Sequence, residues 1–222
     1  MSLGSRILDL IYPPKCVLCG KLLKNEEKNI CCECNADFEI LCPEKSGQSF
    51  TNIRLSIAPF YYEGKIRDAL LRYKFHGKSC YSKFFAVYMY EELNQTELKP
   101  DIITWVPLSR KRLRARGYDQ ARLLAEELSE LTSTECVRLL KKRRNVKPQS
   151  TVGAYEERKK NISGAYSAYN VEKLQSKNIL LIDDIITTGS TAGECAGELL
   201  KAGAGEIFVL TVARTKILME ME

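Results

Sequence analysis

Two hydrophobic rhythms alternate along the chain. Short apolar runs rich in β-branched residues predict strands at 56–62, 102–107, 137–140, 165–169, 179–186 and 206–213. Between them, apolar residues at three- and four-residue spacing predict helices at 64–73, 84–93, 120–131 and from 191 onward. An earlier, shorter stretch with Ile7, Leu8, Leu10 and Ile11 stops before Pro13-Pro14, and predicts a small helix docked on the body. Strand and helix in turn imply an α/β fold with a mostly parallel sheet. No internal repeat interrupts the pattern.

The stretch 179–191 is the most informative. Ile179-Leu180-Leu181-Ile182 runs into Asp183-Asp184, then Ile185-Ile186, then Thr187-Thr188-Gly189-Ser190-Thr191. Four apolar residues in a row suit a strand buried on both faces of a parallel sheet. Helical spacing begins at Ala192, and Ser190 or Thr191 could cap that helix with a hydroxyl. A hydroxyl-rich turn at a helix N-terminus collects amide donors where phosphate binds. Carboxylates at the strand's carboxyl end sit where open α/β sheets take ligands. A ribose reconciles the two, its hydroxyls on the carboxylates and its 5′-phosphate in the turn. Neither GxxxxGK[ST] nor GxGxxG occurs, which removes the P-loop and dinucleotide readings.

A second chemistry lies near the amino end. Cys16-Val-Leu-Cys19-Gly20 and Cys31-Cys-Glu-Cys34 are two CxxC pairs. Each aims two thiolates at one point, so two pairs complete a tetrahedron around zinc, and four protein ligands make that zinc structural. Cys16, Cys19, Cys31 and Cys34 are the first assignment, with Cys32 and Cys42 open as substitutes. The sole histidine, His76, lies far downstream and reads as structural. No apolar run nears the ~20 residues of a membrane span and no signal-peptide pattern is visible. The expected place is the cytoplasm, with the inner face of the membrane as a peripheral alternative. In that compartment nine cysteines argue for metal or free thiols over disulfides. The net charge of +6 favours anionic partners without choosing one.

Basic residues cluster between Arg110 and Lys147, twelve against five acidic. The strand at 102–107 ends at Pro107, and Leu108-Ser109-Arg110-Lys111-Arg112 follows as a turn with a hydroxyl and three cations, a natural pyrophosphate site. The polar insert after residue 140 reads as a charged loop.

These residues carry a resemblance. Asp183 to Thr191 resembles the 5-phosphoribosyl-1-pyrophosphate (PRPP) motif of type I phosphoribosyltransferases. Tyr62-Glu-Gly-Lys-Ile-Arg through Lys74-Phe-His-Gly77, and Arg114-Ala-Arg-Gly-Tyr-Asp-Gln120, resemble signatures of the ComF family. In the second, Tyr118 and Asp119 stand where the family usually has Phe and Asn. The resemblance covers nearly the whole chain. It implies a zinc module over residues 1–48 and a type I phosphoribosyltransferase-like domain over 49–222. It further implies Mg²⁺ bound with PRPP, an unidentified nitrogen acceptor, and a link to DNA uptake in natural transformation. Asp183, Asp184 and Arg110 would carry the catalysis. Thr187, Thr188, Gly189, Ser190, Thr191, Pro107, Leu108 and Ser109 would join them in holding PRPP. Gln149, Arg158 and Asn161 would form a closing lid. Two other classes fit the same residues: a single-stranded-DNA-handling accessory with little or no turnover, working with uptake-machinery proteins, and a zinc-dependent adaptor. The acceptor base and the oligomeric state are not written in any motif.

Overall fold

A computed structural model describes residues 13–24, 26–41, 46–143 and 164–216. The expected helix around Ile7, Cys42, and the lid residues Gln149, Arg158 and Asn161 lie outside these. The body is a six-stranded sheet. Its centre is β7 (Ile179–Ile186) beside β8 (Ile207–Arg214), paired in parallel from Ile179↔Ile207 to Ile186↔Arg214. β4 (Ile102–Trp105) lies parallel on the outer side of β7, while β2 (Ile53–Ile57) and β3 (Phe60–Tyr61) both lie parallel to β8. β1 (Gln48–Phe50) joins β2 antiparallel. The α/β class and mostly parallel sheet expected from the alternation are present.

The central strands show why a continuous apolar run was required. In β7, Ile179 and Leu181 face one core while Leu180 and Ile182 face the other. In β8, Ile207 and Val209 oppose Phe208 and Leu210 in the same way. Period-two alternation thus feeds two cores at once. α2 (Gly64–Phe75), α3 (Tyr81–Asn94) and α5 (Gln120–Thr132) cover the first face, through Leu70, Tyr73, Phe85, Met89, Leu124 and Leu128. α6 (Ser190–Lys201) covers the second through Cys195 and Leu199. It is joined there by a small antiparallel pair, β5 (Leu140–Lys142) and β6 (Tyr166–Ala168). Each fully buried aliphatic side chain in these cores contributes about 1.5–3 kcal/mol.

Three local expectations change. The strand expected over 56–62 breaks into β2 and β3 around Pro59, which has no amide to donate to a ladder. The strand expected at 137–140 is one parallel rung, Ile103↔Cys136, followed by β5. The turn expected at 108–112 becomes a helix, α4 (Arg110–Arg116), with the Ser109 hydroxyl accepting from the Arg112 amide at 3.3 Å.

The amino-terminal module is packed onto the first core. Val17, Leu18 and Cys34 belong to the same buried cluster as Tyr73 and Phe84. Phe38, just beyond the short helix α1 (Cys32–Ala36), stands edge-on to Tyr88 at 5.0 Å and lies 5.2 Å from Phe60. Arg72 of α2 donates through Nη2 to the carbonyls of Val17 and Leu18, at 2.9 and 2.7 Å.

Candidate functional site

At the amino-terminal module the four expected cysteines converge. The Sγ atoms of Cys16, Cys19, Cys31 and Cys34 all lie within 4.8 Å of one another. Zn–S bonds of about 2.3 Å would put tetrahedral sulfurs about 3.8 Å apart, so the cluster fits zinc. Gly20 makes the first knuckle possible: at φ +78° its amide donates back to the Cys16 carbonyl at 2.8 Å. Glu27 braces the second, its carboxylate accepting from the amides of Lys24 and Cys32 at 2.7 and 2.6 Å. Cys32 is exposed and outside the cluster. Burial alone would raise the Cys16 thiol, but amides of Cys31, Cys19 and Leu18 outweigh it and bring it down to about 7. Burial, then the neighbouring thiols, push Cys34 the other way, up to about 12.

At the carboxyl ends of the sheet, the turn after β7 is built around Gly189. It holds φ +68° and is itself the N-cap of α6, so no side chain caps that helix. The expected hydroxyl cap from Ser190 or Thr191 is absent. The Ser190 hydroxyl instead shares a 2.8 Å hydrogen bond with Thr188. The first amides of α6 are left to a ligand or to water. A cavity of about 160 Å³ opens there, lined by Asp183, Thr187, Thr188, Gly189, Ser190, Thr191 and Thr211.

The two carboxylates part company. Adjacent strand residues point to opposite faces. Asp183 lines the cavity, whereas Asp184 forms an ion pair with Lys74 at 2.9 Å, the two side chains only 14% and 16% exposed. Burial, then the charge of Asp184, push the Asp183 carboxyl well above the usual carboxylate range. Lys142, on β5, hydrogen-bonds the buried Tyr166 hydroxyl at 2.7 Å across the β5–β6 pair, and burial lowers its ammonium below the ordinary lysine value. In the sequence Lys142 stands out only as one of the basic residues between Arg110 and Lys147. Lys74 had been visible only as part of a signature.

The two signatures interlock. Tyr73, Lys74 and Phe75 end α2 and send side chains three ways. The Tyr73 hydroxyl donates to the Gln120 carbonyl at 2.8 Å, and Tyr118 donates its hydroxyl to the Tyr73 carbonyl. The Arg116 guanidinium lies 4.8 Å from the centre of the Phe75 ring and donates to the Gln120 side chain at 2.8 Å. The departures at 118 and 119 both find uses. Tyr118 gains the hydroxyl just named. Asp119 caps α5 and accepts from the Leu108 amide at 3.1 Å, pinning the segment after β4. On that segment Pro107 and Ser109 are buried, Leu108 is half-buried, and Arg110, Lys111 and Arg114 are exposed. The Ser109 hydroxyl is spent on its helix cap. Among the described residues no helix is long and apolar enough to cross a membrane.

The chain is similar to several known proteins. The family model "Double zinc ribbon domain" matches residues 7–50. Competence protein ComFC of Streptococcus pneumoniae is 27% identical across 90% of this chain and 100% of its own. The DNA utilization protein YhgH of Escherichia coli is 33% identical over 52% of this chain and 50% of its own. Among solved structures, adenine phosphoribosyltransferase from Leishmania tarentolae is 13% identical with a TM-score of 0.40, covering 73% of this chain and 78% of that one. Purine phosphoribosyltransferase from Pyrococcus horikoshii is 22% identical with a TM-score of 0.35, covering 58% and 69%. Competence protein F of Haemophilus influenzae is 32% identical over 69% of this chain and 70% of its own length. The chain, with its four-cysteine module on a mostly parallel α/β body, belongs to the ComF family of competence proteins.

Proposed function

We propose that the protein binds Mg·PRPP at the carboxyl end of β7 and transfers its phosphoribosyl group to a nitrogen acceptor, in a process tied to DNA uptake. The observation that carries this reading is the turn after β7: an uncapped helix start, a ring of hydroxyls and a carboxylate around one small cavity. The amides of α6 and the hydroxyls of Thr187, Thr188, Ser190 and Thr191 would hold the 5′-phosphate. Asp183 and Asp184 would accept from the ribose hydroxyls. The pyrophosphate, with Mg²⁺ as its counter-ion, would leave toward Arg110, where Asp119 fixes the preceding backbone. Displacement at the anomeric carbon asks mainly for positioning and charge stabilisation, which these groups supply without covalent chemistry. The link to DNA uptake draws on the relatives, which are named competence and DNA utilization proteins.

Calorimetry with Mg·PRPP tests the reading. The Asp183→Asn/Asp184→Asn variant should bind roughly ten- to a hundredfold more weakly, as expected for losing charge-assisted hydrogen bonds. Equal affinity for the two proteins would discard the assignment.

A second reading has its own observation. α4 is Arg-Lys-Arg-Leu-Arg-Ala-Arg with no buried residue, a cationic face suited to single-stranded DNA as well as to pyrophosphate. A strand of DNA crossing α4 would pass beside the carboxyl end of β4.

A further inference from the structure

Lys74 comes from a helix that contributes none of the groups named above, yet it meets the acidic pair directly. Its ammonium lies 2.9 Å from Asp184 Oδ1 in a largely buried contact. The turn of α2 that presents it is held on both sides. Tyr73 is buried and bonded to Gln120, and Arg116 lies against Phe75. With the Tyr118 hydroxyl on the Tyr73 carbonyl, one turn is fixed by three contacts that leave Lys74 little freedom to point elsewhere.

The charges around Asp184 are few. From β7 comes Asp183 itself; from α2, Lys74 and the neutral Tyr73; from α4, Arg116; from the head of α5, Asp119. Arg116 is engaged with Gln120, and Asp119 with two backbone amides. Only Lys74 makes an ion pair with either member of the acidic pair among the described residues. Two adjacent carboxylates in a half-buried site repel one another, and an uncompensated pair takes up a proton.

We propose that Lys74 is a positioning residue of the acidic site, holding the Asp184 carboxylate on the α2 face and compensating its charge beside Asp183. In this arrangement the two carboxyl groups are presented in different directions and remain two distinct acceptors. Applied to ligand, the inference rests on the PRPP reading: Lys74 would act through Asp184, fixing where its carboxylate sits at the carboxyl end of β7 for a ribose hydroxyl to reach. Its structural half needs no ligand.

The test has two arms. In the first, thermal stability of wild type, Lys74→Met, Lys74→Arg and Lys74→Met/Asp184→Asn is measured from pH 5 to pH 8 without ligand. Loss of Lys74 leaves the pair raised in its proton affinity, so stability is retained at low pH and lost as pH rises. The Lys74→Met deficit should therefore widen by about 2–4 °C in Tm across that range, as for roughly 1 kcal/mol in a chain of this size. Lys74→Arg should restore the wild-type profile, and the double variant should flatten the widening. A deficit constant with pH would mean a packing role only and would overturn the proposal.

The second arm is Mg·PRPP binding by calorimetry at pH 7.5. Lys74→Met should weaken it about tenfold, with Lys74→Arg within about threefold of wild type. Wild-type binding that Lys74→Met leaves intact overturns the positioning role while the PRPP reading stands. Absence of wild-type binding removes the PRPP reading, and the first arm then decides the role of Lys74 by itself.

Discussion

Phe50 occupies the space beside Gly189 where a side chain would go: a Cβ built on the glycine would lie 2.4 Å from Cδ1 of the ring. The same hairpin continues along α6, with the Thr51 carbonyl 3.1 Å from a Cβ at Gly193 and the Asn52 amide 2.9 Å from one at Gly197. Three glycines at four-residue spacing are thus the bed on which the β1–β2 turn lies. Gly189 has a second constraint, its φ of +68°. Gly189→Ala should destabilise the fold by about 1–3 kcal/mol in denaturant unfolding. Adding Phe50→Ala should recover the steric share but not the backbone share. An unchanged midpoint for the single variant would contradict this geometry.

The cysteine cluster makes its own demand. Elemental analysis of anaerobically prepared protein should find close to one zinc per chain. Cys34→Ser should abolish retention, and Cys32→Ser should not, because Cys32 points to solvent. Metal and local folding are coupled. Since Arg72 holds two carbonyls of the first knuckle, chelation should raise hydrogen exchange in α2 as well as in residues 13–41. Exchange confined to the module would show that this grip is weak.

How far the sequence could be read depended on periodicity. β7, β8, α2, α3 and α5 each carry an apolar rhythm, and the paired CxxC needs only spacing. α4 has no buried residue, so no apolar stripe announced it, and its arginines read as a loop. Lys74 and Asp184 meet only because α2 crosses the face of β7 that Asp184 happens to take, a fact of register and not of local pattern. Cap assignment failed for a related reason. Gly189 in the left-handed region starts α6 one residue before the hydroxyls that looked able to cap it.

Proton uptake at Asp183 sets a pH dependence. Its carboxyl is raised by burial and by Asp184, so the folded state holds a proton that the unfolded chain releases near pH 3.9, the ordinary aspartate value. That stability is fully present below the ordinary range and is lost as pH rises through the raised value. Asp183→Asn removes the titration. Its stability relative to wild type should therefore improve from pH 5 to pH 8 in urea unfolding. A constant difference would show that Asp183 ionises normally in the fold.

Salt separates the two functional readings. If α4 carries single-stranded DNA, each neutralised phosphate adds about −0.7 to the slope of log K against log salt. Reversing Arg110, Lys111 and Arg114 to Glu should then flatten that slope by about 2, at roughly 0.7 for each of three contacts. The titration uses a labelled oligonucleotide, with and without saturating Mg·PRPP. A weak, flat titration of the wild type would discard the DNA reading. Displacement by Mg·PRPP would mean that nucleic acid and sugar phosphate compete for one mouth.

The outer strand β4 is not left open. The Ile103 amide donates to the Glu135 carbonyl and its own carbonyl accepts from the Val137 amide, both at 2.9 Å, so the connection after α5 serves as one more rung. At the opposite border β1 is three residues long and turned antiparallel. Among the described residues, neither border of this sheet offers an incoming chain a long ladder of free backbone groups. Among the described residues, a partner meeting either border of this sheet would find side chains and charges in place of a long strand to extend.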